Sequence, residues 1–367
     1  MDSADIILAL VVATALVFDF TNGFHDTANA MATSIATKAL KPKVAVGLAA
    51  ALNFAGAFIS LKVAATIAED IVDPDVITPA IIFAGLLGGI FWNLLTWRLG
   101  LPSSSSHALI GGVVGAVVVA SGFDAVQSDG VLGEVIVPAV LAPIVAGAVA
   151  TTATFPVYRA IQRRPEEATA RGFRMGQIAS ASLVALAHGT NDAQKTMGVI
   201  TLALIANGNL GQGAGVPTWV IIAAAASISL GTYIGGWRII QTLGHRVTDI
   251  EAPQGFAAET SSGVVILAAS HAGFPLSTTH VTSGGVMGAG VGKRAAEVKW
   301  GVAGQMVTAW LLTLPAAALL AGLFYAVSEL LGVDLAGPLV VGALGATAAV
   351  FLFFNAQKNN PVTAEDV

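Results

Sequence analysis

Two stretches of this chain place polar side chains where the surrounding sequence is apolar. The first is Asp19-Phe20-Thr21-Asn22-Gly23-Phe24-His25-Asp26-Thr27-Ala28-Asn29-Ala30-Met31, and the second is His188-Gly189-Thr190-Asn191-Asp192-Ala193-Gln194-Lys195-Thr196-Met197. Such groups inside an apolar segment cost kilocalories unless they face a protein interior or a water-filled cavity, so they are read as functional. Aligning Asp26 with Asp192 also sets Gly23 on Gly189, Met31 on Met197 and Asn22 opposite His188, which marks the chain as duplicated. A carboxylate in this position needs a cation, a proton or a salt bridge. Asn22 and Asn29 flank Asp26, and Asn191 and Gln194 flank Asp192, supplying amide groups beside an ion. Gly23 and Gly189 are expected to let their helices unwind, so that backbone carbonyls join the side chains. The competing reading for Asp192 is an ion pair with Lys195, three residues on along a helix. His25 and His188 stand inside the polar stretches and are candidates for handling a proton.

A second matched pair repeats the duplication. Gly100-Leu101-Pro102-Ser103-Ser104-Ser105-Ser106-His107, followed by Gly111-Gly112, aligns with Gly273-Phe274-Pro275-Leu276-Ser277-Thr278-Thr279-His280, followed by Gly284-Gly285. Pro102 and Pro275 are suited to open helices, and a helix start offers free N–H groups and a positive dipole end to an anion. Ser104, Ser105 and Ser106, with Ser277, Thr278 and Thr279, can donate to phosphate oxygens without adding charge, so the anion can later leave. Singly, each run reads equally as helix capping or as bonding across helix pairs. His107 and His280 read as packing residues. Glu259, ahead of Pro275 and without a first-half counterpart, is either an ion-coupling group or an interfacial residue.

Positioning these groups falls to helices in a membrane. The chain is 55% hydrophobic and 11% charged with a mean hydropathy of +0.78, whereas a soluble domain carries about a quarter charged residues. No basic patch with interleaved aromatics points to nucleic acid. Absence of cysteine excludes disulfides and thiolate metal sites. The apolar start carries Asp2 and Asp5 but no Lys or Arg, unlike a signal peptide, and is expected to stay. Apolar runs predict an all-α integral membrane protein with about eleven segments, near 5–36, 44–68, 76–99, 101–121, 135–158, 175–204, 218–243, 254–272, 274–291, 298–331 and 335–354.

Basic residues set the expected orientation. Lys38, Lys41 and Lys43, then Arg159, Arg163, Arg164, Arg171 and Arg174, then Arg246, then Lys293, Arg294 and Lys299 fall in connections read as cytoplasmic. The alternate connections carry Glu69, Asp70, Asp73 and Asp75, then Asp124, Asp129 and Glu134, then Asp334. The N-terminus is therefore expected outside and the C-terminus, with Lys358, in the cytoplasm. Five crossings separate the two motifs, which reverses the second copy and predicts an inverted repeat. Residues 1–160 form the first repeat, 161–174 a basic cytoplasmic linker, 175–332 the second repeat and 333–367 an added segment and tail. The proline turns are expected to form two helical hairpins approaching mid-membrane from opposite faces, as re-entrant hairpins or as full crossings.

At these residues the chain resembles the inorganic phosphate transporter (PiT) family. Asn22-Gly23-Phe24-His25-Asp26-Thr27-Ala28-Asn29-Ala30 resembles the signature of bacterial low-affinity members, and His188 through Gly198 the second-half signature. The Pro102-to-His107 and Pro275-to-His280 stretches match too, so the resemblance spans nearly the whole chain. It implies secondary transport of inorganic phosphate with a cation. Carried over by position, Asp26, Asn29, Asn191 and Asp192 are implied at the ion and phosphate site. The hydroxyl runs complete a phosphate cage, to which Thr196 is added. Asn22, His25 and Glu259 join Asp26 and Asp192 as candidates for the coupling ion. His25 stands where sodium-coupled members usually carry Asn, and segments two to four lack the glutamates of animal sodium-coupled relatives apart from Glu69. Both departures favour H+ over Na+. Family members of this type are thought to take phosphate partly as a complex with a divalent metal.

The expected function is proton-driven phosphate import by alternating access in the plasma membrane, with no cofactor. The alternatives are sodium coupling, or an anion exchanger or channel on the same fold. An intramembrane hydrolase using Ser106 or Thr279 is disfavoured, because adjacent residues on a helix start point in different directions. The animal proteins' regulatory loop is missing, which leaves control to expression or to a cytoplasmic regulatory partner. A homo-oligomer stays open.

Overall fold

A computed structural model describes residues 3–69, 71–72, 76–161, 165–294, 297–359 and 361–367. Asp2, Asp70, Asp73, Asp75, Arg163 and Arg164, used above, lie outside the described residues. Among those described the chain is helical, with one isolated bridge between Val72 and Val126. The helices are α1 Ser3–Ala36, α2 Pro42–Gly56, α3 Lys62–Glu69, α4 Pro79–Leu99, α5 Ser105–Ser121, α6 Ser128–Gly130 and α7 Val137–Ile161. They continue with α8 Glu166–Ala206, α9 Thr218–Ile234, α10 Trp237–Gln241, α11 Ala252–Ala272, α12 Thr278–Arg294, α13 Trp300–Leu331 and α14 Ala336–Asn359. A π-helical turn, Val131–Ile136, joins α6 to α7, and another, Thr242–Arg246, extends α10.

The polarity of the molecule is reversed from that of a soluble protein. Leu311, Leu319 and Leu330 are 73%, 75% and 86% exposed, while Asp19, His25, Asp192 and Lys195 are buried. An apolar exterior around a polar interior suits lipid as solvent. Among the described residues, length and apolarity qualify five helical spans to cross a membrane: α1, α4, the continuous run Ser128–Ile161, α13 and α14. The α9–α10 pair, bent by 61°, makes a sixth. The other expected segments fall on α2 and α5, which are apolar but short, and on α8, α11 and α12, whose polar residues dilute the hydropathy.

The expected unwinding at Gly23 and Gly189 is corrected. α1 and α8 run unbroken through Gly23 and Gly189. A Cβ on Gly23 would run into the Ile228 carbonyl oxygen of α9, and one on Gly189 into the Asn53 carbonyl oxygen of α2. These glycines therefore admit a neighbouring backbone rather than unwind their own, and side chains instead of freed carbonyls build the site. Gly231 meets Phe20 and Gly56 meets Leu186 in the reciprocal positions. The real interruptions lie between α2 and α3 and at Gly235–Gly236, where Gly235 has φ of 79°. The stretch expected as a linker is helical from Glu166 onward, because Glu, Ala and Arg there favour a helix.

α4 ends at Gly100 and α11 at Gly273, both in the left-handed conformation that lets a helix stop abruptly. Four-residue extended turns lead into α5 and α12. α5 packs on α13 and α12 on α7, while α1 packs on α9 and α8 on α2.

Candidate functional site

Helices α1 and α8 lie against each other in opposite senses. Asp19 faces Thr196, Asp26 approaches His188, and Thr37 donates to Gln177 at 2.7 Å. Asp19, Asn22, Asp26, Asn29 and Thr33 recur at alternating spacings of three and four, so α1 turns one polar stripe toward α8. All of these side chains are buried, Asn29 being the most exposed at 7%. The stripe is closed off from the surroundings in this structure.

The two aspartates are held differently. Asp26 Oδ1 lies 2.5 Å from His25 Nδ1 and accepts from Ser105 Oγ at 3.3 Å. His25 Nε2 is 3.2 Å from Thr96 Oγ1, and Thr96 accepts from Ser103 Oγ at 2.8 Å, so α4 and the first turn orient the ring. Asp192 pairs with Lys195 Nζ at 2.5 Å and His188 Nε2 at 2.9 Å, and accepts from Thr278 Oγ1 at 3.0 Å. Lys195 also donates to Ser106 Oγ at 2.5 Å and to the Leu276 carbonyl at 2.7 Å. Ligand atoms of Asp26, His188 and Asp192 all lie within 4.8 Å of one another, close enough to share one cation.

The proline turns converge on this cluster from both halves of the chain. Ser106 Oγ donates to the Leu276 carbonyl at 3.1 Å, so the two turns touch. Asn29 Nδ2 donates to Thr279 Oγ1 at 3.0 Å and Thr278 Oγ1 at 3.3 Å. Ser104 accepts from the His107 amide at 3.1 Å and Ser277 from the His280 amide at 3.2 Å, which makes these two the helix caps. A capping oxygen keeps its own proton, so each can still donate to an anion. The first turns of α5 and α12 thus bring two positive dipole ends and six hydroxyls together.

Other expected residues have bonds of their own. Asn191 donates to Ser270 Oγ at 2.9 Å and to the Phe274 carbonyl at 3.2 Å, pinning the α11–α12 turn. Gln194 accepts from the Val63 and Ala64 amides and so caps α3. Glu259, on α11, meets the C-terminal part of α1, taking hydrogen bonds from Thr33 at 2.5 Å and Ser34 at 2.6 Å there and from Ser180 at 2.5 Å and Gln177 at 3.3 Å on α8. It is buried, with four side chains donating to it. His107 and His280 pack ring against ring at 4.8 Å, and His280 stacks on Trp310 at 4.3 Å, in keeping with packing roles.

Thr96, Ser103, Thr33, Ser34, Gln177 and Ser180 were not singled out from the sequence, nor was Asp19 given a role. The three-and-four spacing on α1 is the signal that reaches Asp19 and Thr33. The others come from elements whose contacts no spacing records.

Comparison with known proteins bears on the same residues. A model of the phosphate transporter family matches residues 22–321. A probable low-affinity inorganic phosphate transporter of Mycobacterium bovis is 58% identical over 327 residues, 89% of this chain and 78% of that one. A protein of the same description from Bacillus subtilis is 45% identical over 329 residues, 89% of this chain and 98% of that one. A solved structure described as the sodium-dependent phosphate transporter superposes with a TM-score of 0.78 at 24% identity, over 89% of this chain and 99% of that one, and shares the fold. The matched region carries the first polar motif from Asn22 onward, the whole of the second and both proline turns, and the chain belongs to the phosphate transporter family.

Proposed function

We propose that this protein imports inorganic phosphate across the plasma membrane by cation symport, with protons as the coupling ion, through alternating access. The observation that carries the reading is the meeting of two hydroxyl-bearing helix starts, each tied to a buried carboxylate: Ser105 to Asp26 and Thr278 to Asp192. Ser104, Ser105, Ser106, Ser277, Thr278, Thr279 and Asn29 would hold phosphate, with Asn191 fixing the second turn and Thr196 lying outward of them. Two carboxylates face one ammonium here, so with neutral imidazoles the cluster is already net negative. A phosphate anion entering it needs accompanying positive charge, which argues for a symporter over a channel or exchanger. Ser106 Oγ accepts from Lys195 Nζ and gives its own proton to the Leu276 carbonyl, which is no general base, so a hydrolase is disfavoured.

The reciprocal glycine contacts and the paired packing of α5 on α13 and α12 on α7 support an inverted repeat with its seam near 161–174. In this reading the eleven segments place the N-terminus outside and the C-terminus inside, and the two hairpins gate the shared site. Sodium coupling is the second reading. It is favoured by the name of the structural neighbour and by the Asp26, His188 and Asp192 atoms that a cation, including a metal travelling with phosphate, could share. Labelled phosphate uptake into proteoliposomes with separately imposed proton and sodium gradients decides: uptake abolished by an uncoupler and indifferent to sodium supports protons. Sodium-dependent uptake that ignores the proton gradient overturns proton coupling and leaves the substrate standing.

A further inference from the structure

Asp19 is completely buried on α1, and neither of its carboxyl oxygens has a hydrogen-bond partner. It stands seven residues before Asp26, on the same helix face and about 10 Å along the axis. Asn22, whose side-chain oxygen is also unpartnered, lies between them on that face. The side chain facing Asp19 is Thr196 of α8, buried and with its hydroxyl likewise unpartnered. Among the described residues the charged groups acting on Asp19 are on α8: Asp192 opposes a second negative charge and Lys195 favours it. α4 and α9 also flank α1, but α4 carries only Arg98 at its far end and α9 only the exposed Tyr233.

We propose that Asp19 is a proton-binding site separate from the phosphate cluster, and that its protonation couples phosphate entry to proton entry. The inference rests on the phosphate-transport reading above. A metal cation needs several oxygens to replace its hydration shell, and among the described residues only the Thr196 hydroxyl faces this carboxyl without being within bonding distance of it. A proton needs one oxygen, and a neutral carboxylic acid removes the cost of an unpaired charge in a dry interior. On loading, a proton from the outer water forms an O–H bond with the Asp19 carboxylate. On release that bond breaks, the proton goes to the cytoplasmic water and the carboxylate is restored. Neutral Asp19 lowers the negative charge near Asp192, so a phosphate oxygen can compete for Lys195. Ionised Asp19 restores that charge and favours phosphate release.

The test uses the full-length protein in proteoliposomes. Asp19→Asn is expected still to exchange labelled phosphate between equal pools. Accumulation under an inward proton gradient, and the internal acidification that accompanies it, should fall at least about tenfold. Asp19→Glu, which restores a carboxyl, is expected to recover both. If Asp19→Asn accumulates phosphate under a proton gradient as the unaltered protein does, the proposal is overturned while phosphate transport stands. If the unaltered protein neither exchanges nor accumulates phosphate, the transport reading itself fails. Should Asp19→Asn also lose exchange, the pH profile of uptake by Thr196→Val decides. A displaced midpoint supports the site, and a profile superimposed on the unaltered one overturns it.

Discussion

The Lys195 ammonium lies 2.5 Å from the Asp192 carboxylate three residues before it, and both side chains are fully buried. The same ammonium reaches Ser106 and Leu276, one on each proline turn, so this ion pair is where α8 and both hairpins meet. A charge pair in that position resists removal of either partner, because the survivor is left uncompensated.

Lys195→Met is therefore expected to cost about 3–5 kcal/mol of stability, and Lys195→Met with Asp192→Asn to regain most of it. Thermal unfolding of the purified variants in detergent checks this. A double variant no more stable than the single one would mean that the ammonium acts mainly through Ser106 and Leu276. Phosphate uptake is expected to stay low in both variants.

Asp26→Asn keeps the shape at the His25 and Ser105 contacts but removes the charge. Uptake is expected to fall at least about tenfold, equivalent to roughly 1.4 kcal/mol or more of lost stabilisation. Normal accumulation by this variant in liposomes would remove Asp26 from the ion site. Asn29→Ala, which releases Thr278 and Thr279, should weaken phosphate affinity with a smaller effect on the pH profile.

Gly23→Ala and Gly189→Ala would each press a methyl group into a backbone carbonyl of the neighbouring helix. Overpacking of this kind costs about 1–3 kcal/mol. Gly301→Ala, with nothing within 4 Å of the added carbon, is the control and should leave stability unchanged. A comparison of unfolding temperatures separates this packing role from an unwinding role, in which the alanine variants would lose activity at unaltered stability.

At the basic end of α12, Lys293 bonds Glu251 at 2.7 Å, and Tyr158 donates to the same carboxylate at 2.6 Å. Burial pushes the Glu251 carboxyl up, but its bonds to Lys293 and Tyr158 outweigh this and hold it below the ordinary range. Burial likewise lowers Lys293, and its carboxylate partners outweigh that and raise it. The Glu251 contribution is present above its unfolded value and is lost as pH falls through the lower folded one. The Lys293 contribution is present below its unfolded value and is lost as pH rises through the higher folded one. Glu251 is about half exposed, at 54%, so the bridge is worth under about 1 kcal/mol. The small stability difference between Lys293→Gln and the unaltered protein should therefore be constant from about pH 5 to 9. A difference that changes within that window would exclude the bridge as its source.

Much of the site was legible in the sequence because buried polar residues in an apolar chain have few reasons to exist. The duplication located Asp26, Asp192 and both hydroxyl turns, and the three-residue spacing already paired Asp192 with Lys195. The spacing also held Asp19, seven residues before Asp26, although no role followed from it. The glycines misled, since a small residue in a polar stretch serves equally to unwind a helix or to admit a neighbour. Sequence does not record which neighbour arrives.

The sequence alone determined that the chain is helical and membrane-embedded and carries two matched pairs of motifs, because composition and spacing are local properties and lipid leaves the backbone few alternatives. Only the tertiary structure decided that α1 and α8 stay continuous, that Glu259 has its own ring of donors, and that the Asn191 amide bonds Ser270 and the Phe274 carbonyl. Those outcomes depend on contacts between residues dozens to hundreds of positions apart, where close packing, and not the pattern along the chain, selects the partner.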